Sequence, residues 1–125
     1  MLSYLFIITI AYELFDIIRM LYKIRANSWT PSELKMVPDL SHRLANLAVA
    51  AVISMGFIAG AFAGIFAGGT LALWIAAVYA VCAALGTAVY GFMFAAGRNL
   101  NLFHSIYNFV MMILFIRCIA IGGLL

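Results

Sequence analysis

The sequence predicts an all-helical integral membrane protein, a bundle of four transmembrane helices. Three observations predict it: an apolar composition, apolar segments of spanning length between short polar stretches, and small residues at helical spacing. Of the 125 residues, 68% are hydrophobic and 9% are charged, whereas a soluble domain is about half apolar and roughly a quarter charged. We therefore expect one polytopic membrane domain that covers residues 1–125.

The first predicted span covers residues 2–22. It is long enough to cross a hydrocarbon core of ~30 Å, which takes about 20 residues. The basic residues Arg19, Lys23 and Arg25 follow its apolar part, which is typical of a retained anchor rather than of a cleaved signal. Because its second half is polar, the alternative that this segment lies at the membrane interface stays open.

A polar connector follows and contains a signal for the start of a helix. Thr30 can cap a helix, Pro31 suits the first helical position, and Glu33 completes a capping box. Apolar side chains within residues 31–37 suit a short helix at the membrane interface, which Pro38 ends.

Three further spans are predicted at residues 41–67, 71–96 and 101–123. Short turns at residues 68–70 and 97–99 separate them. Turns this short make consecutive helices antiparallel neighbours. The second and third helices should therefore form a tight hairpin.

Small residues recur at every fourth position in the second and third spans. Residues four apart lie near each other on a helix surface, and small side chains allow the close backbone approach that drives helix association in lipid. These surfaces are predicted to pack on each other within the hairpin or on a second chain. The predicted packing positions are Gly56, Gly60, Gly64 and Gly68 in the second span and Ala76, Ala80 and Ala84 in the third.

Basic side chains predict the orientation. Lys23, Arg25 and Lys35 lie in the first connection and Arg98 lies in the third, whereas the turn at residues 68–70 and both termini carry none. With four spans, the first and third connections share one side. The positive-inside rule makes that side cytoplasmic and places both termini outside. We expect this location to be the inner (cytoplasmic) membrane of a bacterium.

Charged residues gather on one face of the first span. Asp16 and Arg19 are three positions apart and can pair, whereas Glu13 has only the like-charged Asp16 at the next turn. Counted from Lys23, Glu13 lies ~15 Å from the cytoplasmic edge, near the membrane midplane. A carboxylate there is costly and is usually protonated, paired or functional. Glu13, Asp16 and Arg19 therefore either contain an ion pair that docks the helix, or form a proton-coupling or cation-binding site, or lie on the hydrated face of an interfacial helix.

The two histidines, His42 and His104, begin the second and fourth spans on the same predicted side. Arg43 and Asn108 are among the polar residues near them. These residues either cap helices and join them by hydrogen bonds, or form a polar site for a head group, a quinone or another small ligand. Two histidines on different helices also suit haem or metal ligation. No carboxylate at ligand spacing accompanies either one, so no cofactor and no metal are expected.

No motif of an enzyme occurs in the chain, whether a nucleophile elbow, a phosphate loop, a metalloprotease motif or a CxxC pair. Its seven basic residues are scattered, which excludes a nucleic-acid surface. The leading expectation is a structural or accessory subunit of a membrane complex without catalysis of its own. Its expected partners are the lipid bilayer and either copies of itself or other membrane subunits.

Two alternative functions stay open. A carboxylate in the first of four spans resembles the layout of small multidrug resistance transporters, which implies a small oligomeric proton-coupled transporter that uses Glu13. The charge bias of the loops departs from the dual insertion of that family. The size of the chain and its positive loops also suit a pore-forming oligomer such as a phage holin. So do the glycines at every fourth position of the second span, which we call the glycine ladder.

Overall fold

The computed structural model is all-helical over the residues that it describes, which are 2–27, 29, 39–96 and 100–121. The predicted interfacial helix at residues 31–37 lies outside them. Four helices follow one another in the described part of the chain. They are α1 (Leu2–Ala26), α2 (Leu40–Ala67), α3 (Gly69–Ala95) and α4 (Leu100–Ala120).

Three of these helices are long and apolar enough to cross a membrane: α2, α3 and the Leu102–Ala120 part of α4. α1 has 25 residues, about 37 Å at ~1.5 Å per residue, so it is also long enough. It differs in composition, because Glu13, Asp16 and Arg19 interrupt its apolar surface. The helical class is therefore confirmed, and three candidate spans are present. That α1 spans a membrane stays a prediction.

α1 is longer than predicted, and Asn27 ends it. The backbone of Asn27 has a φ of 49°, and its N–H donates to the carbonyl of Ile24 at 3.4 Å. Asparagine tolerates this left-handed conformation better than other residues with a side chain, since its short amide can form hydrogen bonds locally. The helix therefore stops at a residue suited to the end of a helix rather than at the polar residues before it.

The junction between α2 and α3 is shorter than the predicted three-residue turn. Only Gly68 separates the helices, and Gly68 and Gly69 have positive φ angles of 62° and 56°. Two such residues in a row are accessible to glycine because it has no Cβ. The N–H of Gly68 donates to Gly64 O at 3.1 Å, and the N–H of Ala72 donates to Gly68 O at 3.2 Å. Backbone hydrogen bonding thus continues through the junction.

The chain divides into two compact units, which are described separately. The α3–α4 unit comprises Met1–Ile7 and Ala61–Leu125, and the α1–α2 unit comprises Ile8–Gly60.

Three aromatic rings from three helices form the centre of the α3–α4 unit. The fully buried Phe6 of α1 lies 5.7 Å from Tyr79 of α3 and 5.8 Å from Phe115 of α4, measured between ring centroids. Tyr79 and Phe115 meet at 5.7 Å in an edge-to-face arrangement, which aromatic pairs prefer. The same unit buries several small residues, which allow helices to approach closely: Ala61, Ala72, Ala76, Ala80 and Ala83.

α3 and α4 run antiparallel along their whole contact. Tyr79 pairs with Phe115, whereas Tyr90, further along α3, pairs with His104, which is earlier in α4. Contacts that rise along one helix and fall along the other define antiparallel neighbours. This agrees with the prediction that consecutive helices run in opposite directions.

Candidate functional site

Glu13 lies midway along α1 and reaches α2. It is half-buried and forms a side-chain hydrogen bond with Ser54, which is itself buried. The Ser54 hydroxyl donates, and hydrogen bonds to a carboxylate are among the stronger ones in proteins. Sequence analysis missed Ser54. The signal was present, because Ser54 carries the one polar side chain within residues 47–67.

The ion pair that the α1 spacing allows is present. Arg19 Nε lies 3.6 Å from Asp16 Oδ1, and the side chains are 32% and 18% exposed. Both atoms are shielded from solvent, and neither has a hydrogen-bond partner among the described residues. The pair is therefore held by charge at a distance longer than a hydrogen bond. Removal of one partner would leave the other charge poorly compensated.

Asp39 organises the start of α2 around His42. Its Oδ1 accepts the N–H of Ser41 at 3.0 Å, and its Oδ2 lies 2.9 Å from His42 Nδ1. Asp39 is thus the N-cap of the helix, and the His42 ring is paired at the exposed surface of the α1–α2 unit. This geometry suits the capping interpretation of His42. The prediction that no carboxylate accompanies either histidine is therefore wrong for His42, because Asp39 lies three positions earlier and pairs with it. Asp39 was not among the predicted residues, although an aspartate directly before an apolar helix is a common cap signal.

Arg43, in the first turn of α2, stacks on Trp29. Its Cζ atom lies 4.9 Å from the centre of the indole ring, and Trp29 Nε1–H donates to Asn27 Oδ1 at 2.8 Å. Asn27 directly follows α1, so this contact brings the end of α1 to the start of α2, and the two helices run antiparallel. Arg43 Nε and Nη1 are shielded from solvent and have no hydrogen-bond partner in the described part of the chain.

The fourth-span candidates join α4 to α3. Asn108 Nδ2 donates to the backbone carbonyl of His104 at 2.8 Å within α4. One turn away, Ser105 Oγ donates to the backbone carbonyl of Thr87 in α3 at 3.1 Å. The Thr87 hydroxyl in turn donates to Ala83 O at 2.8 Å. These bonds satisfy polar groups at an apolar helix contact, which suits the interpretation as hydrogen bonding between helices.

His104 lies between aromatic rings. Its ring centroid is 5.1 Å from that of Tyr90 in α3 and 6.0 Å from that of Phe103. It belongs to the α3–α4 unit, whereas His42 belongs to the α1–α2 unit. Among the described residues, no group of three or more His, Cys, Asp or Glu side chains is arranged to hold a metal ion.

Some of the small residues lie directly against another side chain. A Cβ atom at Gly64 would be 2.5 Å from Phe6 Cε2, and one at Gly86 would be 2.8 Å from Asn108 Cγ. At Gly91 the nearest atom would be Ser105 Oγ, at 3.3 Å. α1 therefore packs onto the glycine ladder of α2 at Gly64, and α4 packs onto α3 at two glycines that the ladders did not include.

Other ladder positions have no such neighbour. A Cβ atom at Gly56 would have no described residue within 4 Å, and Gly56 and Ala84 are exposed. Gly60 and Gly68 are intermediate, whereas Ala76 and Ala80 are buried. Along the glycine ladder of α2, the space beside the helix is thus empty at Gly56 and occupied by Phe6 at Gly64.

The buried stripe of α3 leaves its ladder after Ala80 and continues through Ala83 rather than Ala84. Four residues advance a helix by about 400°, or ~40° more than one turn. A strict four-residue ladder therefore winds around the helix axis, and after a few steps it faces a different neighbour. The buried stripe corrects this drift with a step of three.

Comparison with known proteins adds no relative to this description. The chain matches no family model, no curated protein and no solved structure. The similarity in layout to small multidrug resistance transporters stays a prediction from the sequence.

Proposed function

We propose that the protein is an integral membrane protein that serves as a structural or accessory subunit of a membrane assembly and performs no catalysis of its own. The assembly consists of copies of this chain or of other membrane subunits. One observation carries the proposal: the glycine ladder of α2 is filled by Phe6 at Gly64 but meets nothing at Gly56.

The open part of α2 is shaped for another helix. Gly56 is flanked on the same exposed surface by Val52, Ile53 and Met55, with 68%, 55% and 62% of their surface accessible. Small residues beside larger apolar ones form grooves and ridges, and in lipid the close fit of such surfaces is a main source of helix association. A glycine that faces acyl chains gains no such contact. A helix from another chain is the occupant that this surface favours.

The association can be tested with Gly56→Leu, measured in mild detergent by size-exclusion chromatography with light scattering. We expect wild type to migrate as an oligomer or with associated subunits. Gly56→Leu should lose them and keep its helical circular dichroism, because a Cβ atom there has no described residue within 4 Å. Val78→Leu, on a 55% exposed position of α3, is the matched control and should behave as wild type. Equal migration of Gly56→Leu and wild type would show that this surface faces lipid.

The proposed orientation has the termini outside a bacterial inner membrane. A cysteine placed at Ser28 or Asn99 should then be shielded from an impermeant thiol reagent in intact cells, and one at Gly69 should be labelled. Serine variants of Cys82 and Cys118 remove the native thiols. The reverse labelling pattern would contradict the four-span topology.

A second candidate function is favoured by the bond between Glu13 and Ser54. A carboxylate held between two helices, with Asp16 one turn away, is suited to exchange a proton or a cation during transport. If Glu13 couples protons, Glu13→Gln should assemble normally and abolish transport driven by a pH gradient in proteoliposomes. If it only docks α1, Glu13→Gln should be nearly silent, because the amide keeps most of the hydrogen bonding. Absence of wild-type transport in every gradient would exclude coupling.

A substitution in the ion pair between Asp16 and Arg19 can be compared with Glu13→Gln. Asp16→Leu leaves Arg19 without its partner in a poorly solvated place. We expect it to lower the thermal stability of the detergent-solubilised protein more than Glu13→Gln does. A reversed order would mean that Glu13, and not the pair, fixes α1.

A further inference from the structure

Three cations lie at one level of the α1–α2 unit. The hydrogen bond between Glu13 and Ser54 puts these two residues side by side. From that level, Arg43 lies about 16 Å toward the start of α2 at ~1.5 Å per residue. Along the antiparallel α1, Lys23 and Arg25 lie about 15 and 18 Å in the same direction. The three basic residues are thus at a similar height, although Lys23 and Arg25, two positions apart, lie on different sides of α1.

This end of the unit belongs at the membrane surface. α2 has 28 residues, about 42 Å of helix, and exceeds a ~30 Å hydrocarbon core by about 12 Å. The polar residues Ser41, His42 and Arg43 lie in its first turn, whereas its other end is apolar. The excess length therefore falls at the start of α2. Trp29 beside it suits the head-group region, where tryptophan is enriched.

The guanidinium of Arg43 is held in place, but two of its nitrogens lack a hydrogen-bond partner among the described residues. Its Cζ atom lies 4.9 Å from the centre of the Trp29 ring, and the ring is oriented by its bond to Asn27. Two of its nitrogens, Nε and Nη1, have no hydrogen-bond partner among the described residues although they are shielded from solvent. Such an arginine is prepared to bind a planar or multidentate anion.

The carboxylate closest in sequence does not compete for this guanidinium. Both oxygens of Asp39 are engaged, one by the N–H of Ser41 and the other by His42. Asp16 is paired with Arg19 further along α1. Among the described residues, these two carboxylates thus have partners other than Arg43.

We propose that Arg43, held over Trp29, binds a phosphate group at the membrane surface. The phosphate is carried by the head group of an anionic phospholipid or by a soluble phosphate compound. Both offer several oxygens to the guanidinium edge, and basic residues at the end of a membrane helix attract anionic head groups. The proposal needs the membrane location and is independent of any partner subunit.

The test uses the full chain in mild detergent, with binding followed by native mass spectrometry and by the shift in thermal unfolding. The probes are phosphatidylglycerol, zwitterionic phosphatidylcholine and inorganic phosphate. We expect wild type to prefer phosphatidylglycerol over phosphatidylcholine and Arg43→Gln to bind phosphatidylglycerol about ten-fold more weakly, the effect of a lost charge-assisted hydrogen bond. Arg43→Lys should lie between, since it keeps the charge but loses the planar stack. Arg117→Gln, at an exposed position of α4, is the matched control and should bind as wild type.

The lipid probes and inorganic phosphate distinguish the two sources of the phosphate group. Retention of phosphatidylglycerol with no effect of inorganic phosphate assigns the site to a lipid, and equal stabilisation by inorganic phosphate assigns it to a soluble compound. Unchanged binding in Arg43→Gln, or a wild type that responds to neither anionic probe, would overturn the proposal. Circular dichroism checks folding, and Trp29→Phe, which keeps a smaller ring under Arg43, provides a milder variant with an expected partial loss. The oligomeric state, followed separately, reports on the proposed function and not on this site.

Discussion

Gly64 and Gly56 belong to one ladder on one helix, about two turns apart, and yet their surroundings differ completely. At Gly64 a buried phenylalanine from α1 fills the space that a Cβ would need, whereas at Gly56 no described residue lies within 4 Å of that position. The first glycine is needed for the close contact with Phe6. A substitution at the second is expected to leave the described contacts intact and therefore tests association. The role of a small residue in a helix therefore depends on which side chain lies opposite it.

The largest effect is expected at the filled end of the ladder. Gly64→Leu places a side chain into the volume of Phe6, which cannot move aside because Tyr79 and Phe115 enclose it. Overpacking of a core costs about 1–3 kcal/mol and can exceed that range, so we expect a clear loss of stability or misfolding. Unfolding in detergent, followed by circular dichroism, measures it.

Alanine substitutions at Gly64 and Gly56 test the same difference with a smaller side chain. Gly64→Ala should destabilise the chain, and Phe6→Leu combined with it should recover part of the loss. Gly56→Ala should be neutral or slightly stabilising, since alanine is favoured over glycine in helices by about 1 kcal/mol. Equal destabilisation by both alanine substitutions would break the distinction between filled and open positions.

An intermediate effect on stability is expected at Gly86 of α3, where the Asn108 side chain of α4 occupies the space beside the glycine. Gly86→Ala brings a methyl group against the amide of Asn108 and should cost about 1–2 kcal/mol as overpacking. Asn108→Ala in the same chain removes the clash, so the two substitutions should be non-additive in a double-mutant cycle. Simple additivity would mean that Asn108 does not lie over Gly86.

The smallest effect concerns the hydrogen bond from Ser105 to the Thr87 carbonyl. Bonds between membrane helices contribute about 0.6 kcal/mol on average, so Ser105→Ala should lower the unfolding midpoint only slightly. Ser41→Ala, at the exposed start of α2, serves as the control because Asp39 accepts a backbone N–H there and not the hydroxyl. A loss from Ser105→Ala as large as that from Gly86→Ala would show that polar bonding, and not close packing, joins α3 to α4.

The helices could be predicted from the sequence because their signals are local. Apolar composition, segment length and the glycines at residues 68 and 69 define α2 and α3 without knowledge of any partner. The cap at Asp39 was equally local and was overlooked because the predicted span began at Ser41. Local signals thus define where helices begin and end.

The contacts of the candidate sites could not be predicted in the same way. Phe6 meets Gly64, and Glu13 meets Ser54, across long stretches of sequence, and helical periodicity says which residues share a face but not which faces meet. Ala84 illustrates the limit, since a four-residue ladder drifts about 40° per step and leaves the buried stripe. Pairing of faces depends on packing of the whole chain.

In the proposed membrane topology, the two glycines between α2 and α3 have a consequence for how the chain enters a bilayer. No charged residue occurs between Arg43 and Arg98, so no electrostatic signal marks the point where the chain would reverse. The insertion machinery would receive one segment without charged residues, far longer than a single crossing. The instruction to turn back is conformational, and it resides in two residues whose backbone angles other amino acids rarely adopt. In that topology, we expect replacement of either glycine to impair insertion itself rather than a later contact between helices.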